Sequence, residues 1–318
     1  MFDRTQKNSA LEGSTSVTRE LEWEGKDYSY RAITPPRSDH TSTLLILGGI
    51  MRPLHSWPRL EASLAGTTRL VFVELPGVSG KRTAVSPFTW EFLLGATVNV
   101  LDSLGIQHCN LMAASACGPL GYRLAQKHSR RISRLILVGA PSRVVTKETE
   151  DLIHHMDRFT ALMPTLSTDR ATRKEFACII ADALTLSNQS ARRRSTMLVA
   201  LALRHKLSTM PREEFEKYVQ YHQDLMLGRD KEIIPPGGIE GVPTLAVYGE
   251  HDGITPPQSG HELAVEITDC TVAVMKDAGH MLHNERSKEF ADLLTRFTSD
   301  VSLVGLPYCT VFPPRSEP

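Results

Sequence analysis

The sequence predicts an α/β fold: a mostly parallel, doubly wound sheet with a block of helices inserted after the sixth strand. Three observations lead there. Short continuous apolar runs at 43–47, 69–73 and 132–138 read as strands buried on both faces of a sheet. These runs alternate with stretches of helical periodicity, which lays parallel strands side by side with helices on both faces. From 143 to 236 the alternation stops and only helical patterns occur, after which it resumes.

In chain order, residues 1–18 are polar and mixed in charge and read as a flexible tail. Short strands at 20–23 and 28–33 flank Glu24-Gly25-Lys26-Asp27, a hairpin signal with glycine in the turn. A loop from Pro35 to Asp39 leads to the strand 43–47, which ends at Gly48-Gly49-Ile50. A short helix at 57–64 precedes the strand 69–73, closed by Glu74-Leu75-Pro76-Gly77. Residues 88–104 carry Phe92, Leu93, Ala96, Val100, Leu101 and Leu104 at helical spacing and stop at Gly105, a natural C-terminal cap. The strand 109–112 turns straight into a helix that runs from Pro119 to about Ser129, and the strand 132–138 ends in Gly139-Ala140-Pro141-Ser142. The inserted block shows helical patterns at 149–162, 172–184, 192–204 and 212–227. A strand at 244–248, a helix at 259–267, a strand at 271–275 and a helix at 287–297 complete the alternation. The core is therefore expected at 19–142 and 237–300, with a helical cap at 143–236 and an apolar, proline-rich C-terminal tail at 301–318. Insertions after strand C-terminal ends overlook the ligand crevice of such sheets, which is why the block reads as a cap.

A chain of 318 residues is long enough for one large α/β domain with an insertion. Lys plus Arg equals Asp plus Glu at 36 each, and this zero balance offers no footprint for nucleic acid or an anionic membrane. No apolar run is long enough to span a bilayer, and residues 1–18 lack the apolar core of a signal peptide. The five cysteines, Cys109, Cys117, Cys178, Cys270 and Cys309, form no C-x-x-C pair and suggest neither a disulfide framework nor a zinc site. A cytoplasmic protein without metal or cofactor is the expectation.

The stretch from Cys109 to Gly118 is the centre of the functional reading. A serine on a sharp strand-to-helix turn needs small residues two positions before and after it, because the backbones pass closely there. Usually written G-x-S-x-G, the motif here is Ala113-x-Ser115-x-Cys117, with both customary glycines replaced. Alone it also fits an ordinary buried turn between strand and helix. Two further junctions decide. Gly249-Glu250-His251-Asp252-Gly253 follows the strand 244–248, and Asp277-Ala278-Gly279-His280 follows the strand 271–275. Ser115, Asp252 and His280 thus each sit just past the C-terminal end of a strand, and in a parallel sheet those ends share one edge. A serine hydroxyl is a poor nucleophile until a base takes its proton. His280 is a candidate base, and Asp252 a group to orient the imidazole and stabilise its charged form. Asp252 also fits a plain Asp-Gly turn, and His251 and His283 are rivals expected to lie behind the site or face solvent.

With these motifs the chain resembles the capped α/β-hydrolase fold family over roughly residues 20–298. The matching features are Gly48-Gly49, Glu74-Leu75-Pro76-Gly77, the Ser115 turn, Gly249-x-x-Asp252-x-x-x-Pro256, Gly279-His280, and the order Ser, Asp, His. It departs from the family at Gly48, where histidine is common, and at Ala113 and Cys117. The resemblance implies an oxyanion hole made by the backbone N–H groups of Ala116 and Ile50. The Gly-Gly-x-Met loop and the serine among small residues are also similar to those of the enzymes that make the hydroxyalkanoyloxyalkanoate precursor of rhamnolipids, which implies acyl transfer as an alternative.

The reading is a serine hydrolase cleaving an ester or thioester, with Ser115 as nucleophile, His280 as base and Asp252 as orienting acid. Acyl transfer or cyclisation by the same residues is the first alternative, and a ligand-binding protein that keeps the fold is the second. A dehalogenase or epoxide hydrolase is disfavoured, since those place an aspartate where Ser115 stands. Met51 and Trp57, unless they merely pack the first helix, would line an acyl pocket. Apolar residues of the cap, Met156 and Phe159 among them, would select a hydrophobic acyl group. The expected partner is that small molecule, carried free or as an acyl carrier protein or coenzyme A thioester. Arg192-Arg193-Arg194 would dock such a carrier or simply form a solvated helix face.

Overall fold

The computed structural model describes residues 13–36, 42–48, 54–76, 88–142, 170–185, 194–211 and 233–315, with scattered positions between 147 and 225. Among them, strands β1 (Thr15–Trp23), β2 (Lys26–Thr34), β3 (Thr43–Leu47), β4 (Arg69–Glu74), β5 (Cys109–Ala114), β6 (Ile132–Val138), β7 (Thr244–Gly249), β8 (Cys270–Met275) and β9 (Cys309–Phe312) form one sheet. The helices are α1 (Pro58–Leu64), α2 (Trp90–Ser103), α3 (Gly118–Lys127), α4 (Arg170–Thr185), α5 (Arg194–Thr209), α6 (Pro257–Glu266), α7 (Leu282–Glu285) and α8 (Ser287–Thr298).

The strand order is β1-β2-β4-β3-β5-β6-β7-β8-β9. Strands β4, β3, β5, β6, β7 and β8 run parallel, and only β1, β2 and β9 are antiparallel to their neighbours. From β3 the chain winds outward to β4, then returns to β5 on the other side and continues in order. The winding direction therefore reverses between β3 and β5, and the crevice at such a reversal is where ligands bind in open α/β sheets.

Central strands are buried on both faces, which is why they read as continuous apolar runs. Every residue of β5 is buried, and its alternation feeds two cores. Leu111 and Ala113 join Leu135 and Leu137 in the apolar layer under α2 and α3. Met112 and Ala114 join Ile136 and Val138 in the layer under α1 and α8. Phe176 of α4 and Leu207 of α5 belong to the first of these clusters, so the described inserted helices share an apolar core with the rest of the fold.

The ends of the sheet differ from the expectation. β1 starts at Thr15, inside the stretch that reads as a tail, and pairs with β2 from Thr15–Thr34 to Trp23–Lys26. Its residues are mostly exposed, and only Leu21 and Trp23 at its end pack against the core, so its first half is held by backbone pairing with β2. β9 lies within the proline-rich tail and pairs antiparallel with the end of β8. α2 begins at Trp90, two residues after the expected start, because the Thr89 hydroxyl accepts the Phe92 N–H at 3.2 Å and caps it. No helix among the described residues is long and apolar enough to cross a membrane.

Candidate active site

Ser115 stands at the end of β5, on the first residue of a 3₁₀ turn, Ser115–Cys117, that runs into α3. Its φ is +51°, a left-handed conformation that L-residues avoid and that costs roughly 1–3 kcal/mol where the surroundings impose it. The strained turn lifts the side chain out of the sheet. Residues Leu111 to Ala114 and Cys117 to Ala125 are buried, whereas Ser115 and Ala116 are half-buried. The turn tolerates Ala113 in place of glycine because α3 supplies the space: a Cβ at Gly121 would lie 2.4 Å from the Ala113 Cβ. Cys117 is buried against the same layer and fills the other small position. Ala116 sits at the N-terminal end of the turn leading into α3, where the helix dipole favours negative charge.

His280 and Asp252 arrive from the ends of β8 and β7. The Ser115 Oγ is 2.9 Å from His280 Nε2, and His280 Nδ1 is 2.8 Å from Asp252 Oδ2. The side chains of His280 and Asp252 are 3% and 0% exposed. The Asp252 carboxylate accepts four hydrogen bonds. Oδ1 takes the backbone N–H groups of Ile254 at 3.0 Å and Thr255 at 2.9 Å, and Oδ2 takes the Thr255 hydroxyl at 2.8 Å and the imidazole. A carboxylate has no proton to give, so Nδ1 carries the ring proton. In the neutral ring Nε2 then holds the lone pair, and the Ser115 hydroxyl donates to it. The two junctions meet because Gly249 has no side chain: a Cβ there would lie 2.3 Å from the Gly279 carbonyl oxygen. The structure thus brings together the three side chains from residues 115, 252 and 280, and a hydroxyl so placed can lose its proton to the imidazole as it attacks an electrophile.

The other candidates are distributed as follows. Ile50, Met51, Met156 and Phe159 lie outside the described residues. Trp57 is 5% exposed, within the apolar layer under α1, its ring 4.7 Å from that of His283. That is a packing position for the first helix. His251 is 3.7 Å from the Glu250 carboxylate, and His283 contacts Asn284 at 3.0 Å. Glu74 accepts the Ser29 hydroxyl at 3.2 Å. All five cysteines are free, and burial pushes the thiols of Cys109 and Cys270 up to about 12, so neither ionises near neutral pH. Glu250, His251 and Asp277 offer ligand atoms within 4.8 Å of one another on surface loops, where Glu250 already accepts the Asp277 N–H at 2.9 Å.

Thr255 is a residue that sequence reasoning passed over. Its hydroxyl lies 2.8 Å from Asp252 Oδ2, 3.1 Å from His280 Nδ1 and 3.2 Å from the Gly139 carbonyl, so it braces the junction of all three loops. A threonine three residues after a loop aspartate is the available signal, since such residues close turns onto each other.

Residues 42–287 match the model of a family described by its alpha/beta hydrolase fold. The chain is 23% identical over 254 residues to a 2-hydroxymuconate semialdehyde hydrolase of Pseudomonas sp. (strain CF600), covering 79% of this chain and 83% of that one. It is 29% identical over 118 residues to a poly(3-hydroxyalkanoate) depolymerase of Ectopseudomonas oleovorans, covering 37% and 41%. Among solved structures it is similar to MGS-M2, an alpha/beta hydrolase enzyme from a Medee basin deep-sea metagenome library, with a TM-score of 0.71 at 19% identity over 90% of this chain and 98% of that one.

Proposed function

The chain belongs to the α/β-hydrolase fold family, and from that premise we propose that it is a serine hydrolase cleaving an ester or thioester through an acyl-enzyme on Ser115. One observation carries the reading: the unbroken line of contacts from Ser115 Oγ through the His280 ring to Asp252. As the Ser115 oxygen bonds to the carbonyl carbon, its proton passes to His280 Nε2. The carbonyl π electrons move onto oxygen, and Asp252 stabilises the imidazolium. The Ala116 N–H and, by the family pattern, that of Ile50 hold the oxyanion. When the oxyanion collapses, the alcohol or thiol leaves with the proton from Nε2. Water then attacks the acyl-enzyme, gives its proton to His280, and the acid departs as Ser115 regains its own.

The inserted helices serve as a cap in this reading, supported by the packing of α5 beside α7, next to the His280 loop. A cap rich in Leu, Met and Phe suits a hydrophobic acyl group, delivered free or on an acyl carrier protein or coenzyme A. A second reading rests on the relatives named 2-hydroxymuconate semialdehyde hydrolases, 23% and 24% identical over most of this chain. It keeps Ser115 as nucleophile and takes an unsaturated 2-hydroxy semialdehyde in place of the ester.

The test is labelling with a fluorophosphonate probe, the adduct mapped by mass spectrometry, followed by turnover on p-nitrophenyl esters from acetate to octanoate and on 2-hydroxymuconate semialdehyde. Labelling at Ser115 is expected, and Ser115→Ala should abolish it and lower turnover about 10³-fold or more. kcat/KM should rise by up to about 15-fold for each two methylenes buried, at roughly 0.8 kcal/mol apiece. A folded protein that takes no label is a binding protein, and preferential turnover of the semialdehyde selects the second reading.

A further inference from the structure

A further buried carboxylate lies outside the Ser115, His280 and Asp252 set. Glu285 ends the short helix α7, and it is 7% exposed. Its Oε2 accepts two hydrogen bonds, one from the inserted block and one from the loop that carries His280. One is the hydroxyl of Thr196 at 2.8 Å, and the other is the backbone N–H of Gly279 at 3.2 Å. Thr196 is fully buried near the start of α5 in the inserted block, and Gly279 directly precedes His280. The second carboxylate oxygen, Oε1, is buried with no hydrogen-bond partner among the described residues. Burial pushes the Glu285 carboxyl above the usual carboxylate range, opposed by the bonds from Thr196 and Gly279.

A buried carboxylate with an oxygen to spare destabilises a fold relative to a well-packed apolar side chain of similar size. Leucine would fill the same space without that penalty. What glutamate adds is one oxygen that holds two donors at once, one on the loop carrying His280 and one on an inserted helix. The loop has need of such an anchor. Gly279 has no side chain to fix its own backbone, and His280 must keep Nε2 within hydrogen-bond reach of Ser115, where displacements of about 1 Å can lower a rate 10²-fold.

We propose that Glu285 is a positioning residue that fixes the backbone of the His280 loop through Gly279 and makes that placement depend on the seating of helix α5 through Thr196. The proposal rests on the reading of His280 as the base that activates Ser115. Under it, the inserted block does more than enclose substrate. The buried Thr196 hydroxyl completes the support of the base, so an inserted block that moves away leaves a poorly placed imidazole.

The experiment uses the full chain with Glu285→Gln, Glu285→Leu, Thr196→Val and Thr196→Ser. For each, kcat and KM on p-nitrophenyl butyrate, the rate of Ser115 phosphonylation by a fluorophosphonate, and the thermal midpoint are measured. Glu285→Leu should lower kcat and the phosphonylation rate together by about 30-fold or more, with KM within about threefold. Glu285→Gln keeps an acceptor oxygen and should recover most of the loss. Thr196→Val should lower kcat about three- to tenfold, Thr196→Ser should not, and the Thr196→Val and Glu285→Leu losses should fail to multiply because they share one contact. Should Glu285→Leu not fold, the two Thr196 variants and Glu285→Gln carry the test. A folded Glu285→Leu with wild-type kcat, or Thr196 variants that behave alike, overturns the proposal. If the wild type is labelled at Ser115 and these variants label equally fast, only this inference fails. If the wild type takes no label, the reading of Ser115 and His280 fails, and the positioning role falls with it.

Discussion

Replacing Asp252 by asparagine separates the chemistry of the site from its architecture. Asparagine keeps one carbonyl oxygen, which can still accept the N–H groups of Ile254 and Thr255 that hold the loop. Its amide nitrogen then faces His280 Nδ1 and the Thr255 hydroxyl, where Oδ2 stood. Every group remains satisfied only if the imidazole moves its proton to Nε2, because the amide is a donor. That tautomer cannot take a proton from Ser115. To act as a base the ring must put the proton back on Nδ1, against a buried N–H. The lost bond to a charged acceptor amounts to about 1.5–3 kcal/mol and the orphaned donor to about 1–3 kcal/mol more. Together they raise the barrier by about 3–6 kcal/mol, or roughly 10²- to 10⁴-fold in kcat. Steady-state hydrolysis of a p-nitrophenyl ester and the phosphonylation rate of Ser115 should fall by the same factor, since both need the activated hydroxyl. KM should hold, and the thermal midpoint should move by only a few degrees. A folded Asp252→Asn protein within tenfold of wild-type kcat would show that the carboxylate does not set the tautomer.

Three further outcomes are expected. Thr255→Val removes the hydroxyl that bridges Asp252, His280 and Gly139, and should lower kcat about tenfold at a nearly constant KM, as judged by the same ester assay. Gly121→Ala drives a methyl group against Ala113 beneath the Ser115 turn; it should destabilise the protein by about 1–3 kcal/mol in denaturant titrations, and Ala113→Gly in the same chain should restore it. Because burial raises the Glu285 carboxyl, its contribution is fully present below the ordinary glutamate range and is lost as pH rises through the folded value. The thermal midpoint of wild type minus that of Glu285→Gln should therefore shrink as pH rises above the ordinary glutamate range, and parallel curves would contradict it.

What was legible in the sequence depended on how local its cause is. The central strands were readable because burial on both faces leaves β5 apolar along its whole length. The convergence of Ser115, Asp252 and His280 was readable because it needs only strand order and direction: three junctions on one edge of a parallel sheet must be neighbours. The edges were harder. The turn at Glu24 and Gly25 marked the β1–β2 hairpin, but β1 reaches back to Thr15 along exposed residues whose pairing with β2 leaves no mark in side-chain burial. In the inserted block, periodicity revealed helices without revealing their faces. Met197 and Leu201 of α5 belong to its apolar stripe, yet they are 57% and 62% exposed, while polar Thr196 beside them is fully buried.

That inversion follows from where the donor and acceptor of a buried contact sit. Thr196 and Glu285 are 89 residues apart, and neither has a neighbour in sequence that hints at the other. Read locally, Glu285 is an acidic residue near the start of a helix, where such residues are common and need no partner. Only the packing of α5 on α7 turns it into a shared acceptor. Thr255 is the intermediate case: its bond to Asp252 spans three residues and follows turn chemistry, while its contact with Gly139 spans 116 and follows only from β6 and β7 being adjacent. Ser115, His280 and Asp252, the proposed nucleophile, base and acid, are thus marked by residue type at the ends of strands. The groups that hold them are marked by nothing but juxtaposition, and they are the positions at which substitutions should lower kcat while the three central residues are themselves unchanged.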